Sequence, residues 1–355
     1  MSNFFKNLNL FLPKKMVGID IGTSAIKVVE ISRWGQGKTL ENYGEIASDL
    51  IYKDSASANE KNSRAISSDF VSLAIKGILE EAKIKTKEVV FSIPDFYTFC
   101  TSFDIPPMPQ NEIAGAVQYN ASQYITLPIS EVTLDWKIIS GGANAPIKVF
   151  LVAVPNQVIQ EYQNIARAAG LELHAMEAEA TAISRALAAK SKKTVCLIDI
   201  GVQSSTVNIV DSGVLKRSYS FNFFSGQLAR SASSLLNVEY GKAEEIKNKE
   251  GIASANKNLA QTLTLLIDPL VAELRNICAE FLQAEQKEVQ EIYLTGGTAN
   301  LPGLKEYVVA QLKKPASVPN CFSDFLYPPV LEERLRQMSP GFSAAMGVAL
   351  AGLEI

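Results

Sequence analysis

Histidine is almost missing: His174 is the only one in 355 residues. A histidine-based metal site or a Ser-His-Asp triad would rest on that single imidazole, so neither is expected, and His174 reads as a structural strand residue. Cysteine is sparse as well. Cys100, Cys196, Cys278 and Cys321 are scattered, with no C-x-x-C pair. That pattern argues against a disulfide framework or a zinc site and fits a reducing compartment. The four thiols read as small buried apolar groups, and Trp34 and Trp136 as packing residues. Charge of either sign is not in surplus: 34 Lys and Arg face 37 Asp and Glu, for a net charge of −3. No nucleic-acid surface is expected from that balance. No apolar run reaches the roughly 18 residues of a membrane span. The opening "MSNFFKNLNLFLPKK" is too short and too interrupted for a signal peptide. Residues 1–15 read as an unpacked tail, with a short amphipathic membrane anchor as the other reading.

What is present is ordinary globular material: 47% apolar and 20% charged residues, enough for two domains or one large bilobal one. Apolar runs and alternation predict strands at 16–21, 24–33, 39–48 and 88–94, and a helix over 65–83. A polar loop falls at 53–63. From about 95 the texture becomes strand, helix, strand, strand, helix. The first helix of this stretch, 110–125, takes Asn111 as its N-cap; the second ends at Gly170. This reads as a compact α+β module inserted in a larger lobe. A second lobe opens at "TVCLIDIG", continues through a hairpin around "DSG", and carries a helical stretch from about 225 to 283 broken near 248–251. In "LTGGTANLPGL" a strand turns through glycines into a helix starting near Leu301 and Pro302. The C-terminal "PGFSAAMGVALAGL" reads as a buried helix.

Two stretches carry chemistry. "VGIDIG" (17–22) and "CLIDIG" (196–201) each end a buried strand in Asp-Ile-Gly. Each is followed by hydroxylated residues: Thr23 and Ser24 after Gly22; Ser204, Ser205 and Thr206 after Gly201. Such turns present backbone N–H groups and hydroxyls to a phosphate. Lys27, on the returning strand, adds a point charge. Asp20 and Asp199, facing each other across a cleft, would hold Mg²⁺ mostly through water. One copy of D-x-G marks an ordinary strand end; two copies, each opening a lobe, point to a shared anion. Gly296 and Gly297 would let a flat ring or sugar approach the backbone.

In this order, "GIDIGTSAIK", "LIDIGVQSST" and "LTGGTANLPGL" resemble the two phosphate loops and the adenosine loop of the actin/Hsp70/sugar-kinase superfamily. "EAEATAISRAL" is similar to its helix between lobes. "IPPMPQNEIAGAVQYNASQYITLPISEVTLDWKII" and "FFSGQLARSASSLLNVEYGKAEEIKNKEG" narrow the likeness to the type IV pilus assembly protein PilM family, across nearly the whole chain from about residue 15.

The resemblance implies an α/β, actin-like ATPase fold. It has two lobes of RNase H-like topology and an inserted small domain of the 1C, or SHS2-like, type. Lobe 1A would take 16–95, 172–193 and 322–355; the insert 96–171; lobe 2 194–321. It implies a cytoplasmic scaffold recruited to the inner face of the membrane. Its partner would be the N-terminal cytoplasmic peptide of the inner-membrane protein PilN, bound through the insert within the pilus assembly complex, or a related secretion system. A homo-oligomer is compatible. ATP and Mg would lie against Asp20, Gly22, Thr23, Ser24 and Lys27 from one lobe, and Asp199, Gly201, Ser204, Ser205 and Thr206 from the other. Gly296, Gly297 and Thr298 would lie by the adenosine. Glu244 and Lys247 are placed near the ribose or base, or else form an i,i+3 pair on a solvated helix face.

The chain departs from the superfamily at Val202-Gln203, where glycines are common. It also offers no clear base for an attacking water: Asp199 and Glu177 are the catalytic candidates, with Glu179 beside them, and Glu177 and Glu179 read equally as a solvated helical face. At most slow hydrolysis is expected. Two other readings compete. A filament-forming membrane tether resembling FtsA would be longer and end in a basic amphipathic helix, unlike "GVALAGLEI". A small-molecule kinase would need a general-base carboxylate beside an acceptor pocket. An Hsp70-type chaperone would need a substrate domain after the ATPase-like part.

Overall fold

The computed structural model describes residues 14–47, 68–142, 144–202, 204–221, 223 and 225–355. The tail up to residue 13, the loop at 53–63 and Gln203 lie outside the described residues. The chain divides into two compact units. The first takes Met1–Ala186, Cys321–Arg336 and Phe342–Ile355; the second takes Leu187–Asn320 and Gln337–Gly341.

The first unit is built on β1 (Lys14–Ile21), β2 (Ala25–Trp34), β3 (Gly37–Ala47), β4 (Glu88–Ile93) and β8 (Glu172–Ala178). The sheet order is β3-β2-β1-β4-β8. β1–β2–β3 are antiparallel, and β1–β4 and β4–β8 are parallel. Helix α1 (Ser68–Glu81) buries Val71, Ile75 and Ile78 on one face. Helix α3 (Asn156–Ala169) adds Val158, Tyr162 and Ile165 to the same core, against Val17, Ile19 and Phe91. The opposite face meets the C-terminal helix (Glu332–Glu354) so closely that a Cβ on Gly18 would fall 2.1 Å from the Ala345 carbonyl oxygen. Glu30, 3% exposed, escapes the cost of a buried charge by accepting bonds from Asn42 Nδ2 (2.6 Å) and Thr86 Oγ1 (2.5 Å).

Between β4 and β8 the chain makes a separate small sheet, β5 (Phe99–Ile105), β6 (Val132–Gly142) and β7 (Ala145–Pro155), in the order β5-β7-β6. Its own core joins Phe103, Ile105, Ile147, Val149 and Leu151 to Ile113 and Val117 of α2 (Gln110–Ala121). Strand β7 spans two cores, since Val152 and Val154 pack with the first sheet. The N-cap of α2 is Pro109, without a side-chain bond; Asn111 lies inside the helix and does not cap it. The expected end at 125 shortens to Ala121.

The second unit repeats the first. β9 (Thr194–Ile200), β10 (Ser205–Asp211), β11 (Val214–Phe221), β12 (Glu291–Thr295) and β13 (Ala316–Ser317) run in the order β11-β10-β9-β12-β13. Pairing is again antiparallel on one side of β9 and parallel on the other. In the β10–β11 turn Ser212 and Gly213 both have positive φ (50° and 78°), as a two-residue type I′ hairpin requires. The helical stretch from 225 is three helices: α5 (Ser225–Leu236), α6 (Tyr240–Glu250) and α7 (Lys257–Glu285). The first break falls at Asn237, whose φ is +51°. Helix α8 (Leu304–Leu312) starts later than Pro302. The Pro302 carbonyl instead accepts from Ile252 and Ala253, and Gly303 takes φ +87°.

Helix α7 begins at Asn256, whose Oδ1 accepts from the Asn258 N–H (3.1 Å) and the Leu259 N–H (3.2 Å). Asn256→Ala strips both acceptors from the first turn. It is expected to lower stability by about 1 kcal/mol in urea unfolding.

Some packing expectations fail. Trp34 is 73% exposed, because it stands at the end of the β2–β3 hairpin beside Gly35. Of the four thiols, Cys196 and Cys321 are buried but Cys100 and Cys278 only half-buried. Trp136 does pack against the small-sheet core. His174 lies on β8 with Nε2 3.4 Å from Glu88 Oε1.

Candidate functional site

The two Asp-Ile-Gly turns close alike. The Gly22 N–H donates to the Ala25 carbonyl at 3.1 Å, and the Gly201 N–H to the Ser204 carbonyl at 3.0 Å. The register beyond them is also shared: Asp20 pairs with Lys27 and Ile21 with Ile26; Asp199 pairs with Thr206 and Ile200 with Ser205. Lys27 and Thr206 therefore hold equivalent positions, one a cation and one a hydroxyl. A side chain would be tight at Gly22 and would clash at Gly201. A Cβ would fall 3.0 Å from the Ala25 oxygen at Gly22, and 2.8 Å from the Ser204 oxygen at Gly201.

The two carboxylates differ in setting. Asp20 is 4% exposed, and its Oδ1 is buried with no hydrogen-bond partner. Burial raises its pKa above the ordinary 3.8, while Lys27 and then the hydroxyl of its β4 neighbour Ser92 temper the rise. Asp199 is half-buried. On the first turn Thr23 is half-buried and Ser24 exposed. On the second, Ser204 is half-buried and Ser205 and Thr206 are buried; the Ser205 Oγ has no hydrogen-bond partner. The first N–H groups of α5 rest on this turn, Ser225 donating to the Gly201 carbonyl (3.0 Å) and Gly226 to that of Val202 (3.3 Å).

The third motif stands against the second turn within the same unit. Gly296 has φ +84°, and a Cβ there would fall 2.4 Å from Asp199 Oδ1 and 2.7 Å from the Ile200 nitrogen. Only glycine fits that backbone and that approach. Gly297 is exposed and Thr298 buried. Glu244 and Lys247 do form an i,i+3 pair at 2.7 Å, but not on a solvated face. The Lys247 side chain is 2% exposed, and Glu244 Oε2 is buried without a partner.

Glu177 lies on β8, not on a helix. Both its oxygens accept from Arg185, one from Nη2 at 2.7 Å and the other from Nη1. Arg185 also donates to the Gly347 carbonyl at 3.2 Å. Glu179 opens α4 (Glu179–Ala188) and is half-buried. The reading from residues alone missed Ser92 as Asp20's neighbour. The signal was there in "EVVFSIP", a buried apolar run that sets one hydroxyl beside the Asp20 strand. Among the described residues no group of three or more His, Cys, Asp or Glu is placed to hold a metal ion, and no helix is long and apolar enough to cross a membrane.

Residues 18–353 match the family model of the type IV pilus assembly protein PilM. The chain belongs to that family. A solved structure described as the PilM-PilN type IV pilus biogenesis complex shares its fold with TM-score 0.81 at 22% identity, covering 96% of this chain and 99% of that one. The ethanolamine utilization protein EutJ from Carboxydothermus hydrogenoformans aligns with TM-score 0.53 at 15% identity, with 97% of each chain covered. These likenesses concern the fold, which is actin-like: two α/β units of repeated topology, with a small sheet inserted in the first.

Proposed function

We propose that the chain is a cytoplasmic, nucleotide-holding member of a type IV pilus assembly complex. The two Asp-Ile-Gly turns take the phosphates of one ATP, and the small inserted domain takes a short peptide of an inner-membrane partner of the PilN kind. The observation that carries the nucleotide reading is the matched closure and register of the two turns. Two tight turns with glycine at the same place, one followed by a lysine and one by hydroxyls, suit an anion with several charged oxygens. Gly22, Thr23, Ser24 and Lys27 would serve one side; Gly201, Ser204, Ser205 and Thr206 the other. Gly296, Gly297, Thr298, Glu244 and Lys247 would border the adenosine. The Mg²⁺ fits a set in which Asp20 and Asp199 contribute single carboxylates and phosphate and water oxygens do the rest. The orphaned Asp20 Oδ1 supports that assignment. With Glu177 committed to Arg185, hydrolysis is slow or absent, and the bound nucleotide acts as a structural ligand.

The peptide reading rests on surface chemistry. Around the small sheet Phe99 (39%), Tyr119 (74%), Tyr124 (43%) and Leu127 (42%) are exposed, and β5 is an edge strand open to an added strand or a grooved segment. The solved relative is itself a complex of PilM with PilN. The test is fluorescence anisotropy with the N-terminal cytoplasmic peptide of a PilN-type partner, with and without ATP. Saturable binding is expected, weakened roughly tenfold or more by Tyr119→Ala. No binding under either condition would remove the peptide reading.

A further inference from the structure

We propose that the N-terminal segment of one copy of the chain adds as a strand to the free edge of β5 on a second copy, and so competes with the partner peptide for the inserted domain. This rests on the peptide reading above and adds the regulation of that site. Strand β5 is an edge of its sheet and pairs with β7. Its ladder is regular from Phe99 to Ile105, and among the described residues no backbone hydrogen bond reaches its other side. The opposite edge, β6, is blunted by register shifts after Ile138 and again after Ser140. Side chains of β5 alternate, so Phe99 and Phe103 share the side that faces α2. The Tyr124 ring stacks on Phe103 with centroids 5.3 Å apart. Phe99 and Tyr124 remain exposed, an aromatic ledge beside unpaired backbone.

The segment before Lys14 suits that edge. Leu8, Leu10 and Leu12 alternate with Asn7, Asn9 and Phe11, which puts three leucines on one side of an added strand. Charge agrees. Residues 1–15 carry Lys6, Lys14 and Lys15 and no Asp or Glu. Within 99–155, Asp104, Glu112, Glu131 and Asp135 outnumber Lys137 and Lys148. Those four carboxylates are all exposed, and Asp104 stands on β5 itself. Reach decides between the same copy and another. Strand β1 starts at Lys14, and the chain leaves β4 for the small sheet at the far end of β1, where Asp20 pairs with Ser92. Lys14 and Asp20 are about 20 Å apart along the strand. Leu12, two residues before Lys14, extends no more than about 7 Å from it. The leucines therefore cannot line β5 of their own copy, whereas those of a second copy can. Donor segment and acceptor edge are different surfaces, so the contact is head-to-tail and can repeat.

A fluorescent peptide of residues 1–15 is titrated with the full chain by anisotropy, then chased with the N-terminal cytoplasmic peptide of a PilN-type partner. Sedimentation velocity follows the full chain over a range of concentrations. Saturable binding of the tail peptide, its release by the partner peptide, and a sedimentation coefficient that rises with concentration are expected. Leu10→Asp should weaken the tail peptide about tenfold or more and, in the full chain, abolish self-association. That substitution changes the donor and leaves the acceptor edge intact, so the variant should bind the partner peptide as well as before or better. A chain that binds the partner peptide but not the tail peptide overturns this inference and leaves the peptide reading standing; binding of neither overturns both. Tail binding that the partner peptide does not displace, or self-association that survives Leu10→Asp, places the contact elsewhere and overturns it too.

Discussion

Asp20→Asn is expected to raise the thermal midpoint of the chain at neutral pH while removing most of its affinity for Mg-ATP. Both effects come from one buried carboxylate. Asp20 is 4% exposed with an unpartnered oxygen, and burial raises its pKa against the pull of Lys27 and Ser92. An acid whose folded-state pKa is raised contributes stability only below its unfolded pKa, where it folds protonated. That contribution is lost as pH climbs through the raised folded value. At neutral pH the ionised group therefore works against folding, and an amide of the same shape does not. The gain should be about 1–3 kcal/mol, the part of the cost of burying the charge that Lys27 and Ser92 leave unoffset, and each 1 kcal/mol should read as about 2–4 °C in a unit of this size. It should fade as the pH drops below about 4, where Asp20 becomes neutral in both states. The same substitution deletes a charge proposed to meet the metal, so affinity falls: a site residue kept at the expense of stability. Scanning calorimetry at several pH values and titration calorimetry with Mg-ATP check the two halves. A lower midpoint at neutral pH, or unchanged affinity, would contradict this reading of Asp20.

Gly347→Ala should be among the most damaging single methyl groups in the first unit. A Cβ at Gly347 would lie 1.9 Å from the Ala182 carbonyl oxygen and 2.3 Å from its carbon. Real Cβ atoms do not approach that closely, so the C-terminal helix or α4 would have to move. The Arg185 bond to the Gly347 carbonyl would move with it, and with it the clasp on Glu177. Overpacking of a rigid helix contact costs about 1–3 kcal/mol and sometimes more; here the upper end is expected, because the obstructing atoms are backbone. Gly77→Ala supplies the contrast. Gly77 lies within α1 with nothing inside 4 Å of the added carbon, so alanine should stabilise by roughly 0.5–1 kcal/mol through helix propensity alone. Equal effects in urea titrations of the two variants would show that the close approach at Gly347 is not what holds the helices.

These variants also mark what the sequence made legible. The repeated apolar-Asp-Ile-Gly pattern was visible because buried strands are written as continuous apolar runs and tight turns demand glycine. The repeated sheet followed from it. The equivalence of Lys27 and Thr206 could not be read from residue types, since a cation and a hydroxyl share nothing but register. Glu177 was misplaced on a helix because "LELHAMEAEATAISRAL" mixes alternation with helical spacing, and its bond to Arg185 comes from strand and helix folding back together. The break expected near 248–251 is present, with α6 ending at Glu250 and α7 starting at Lys257; the one at Asn237 was hidden because Asn237, Val238 and Glu239 include no glycine or proline to mark it. Trp34 read as core by composition, yet its place at a hairpin end leaves it exposed. The burial of Lys247 was equally invisible, since "KAEEIK" looks like a solvated face.

The most direct measurement is hydrogen–deuterium exchange of the full chain with and without saturating Mg-ATP, followed at the amides of residues 20–27 and 199–206. The expected result is slowed exchange in both turns together, with smaller protection at 296–298. Protection of one turn alone, or of neither, would contradict the proposal that both serve the same nucleotide.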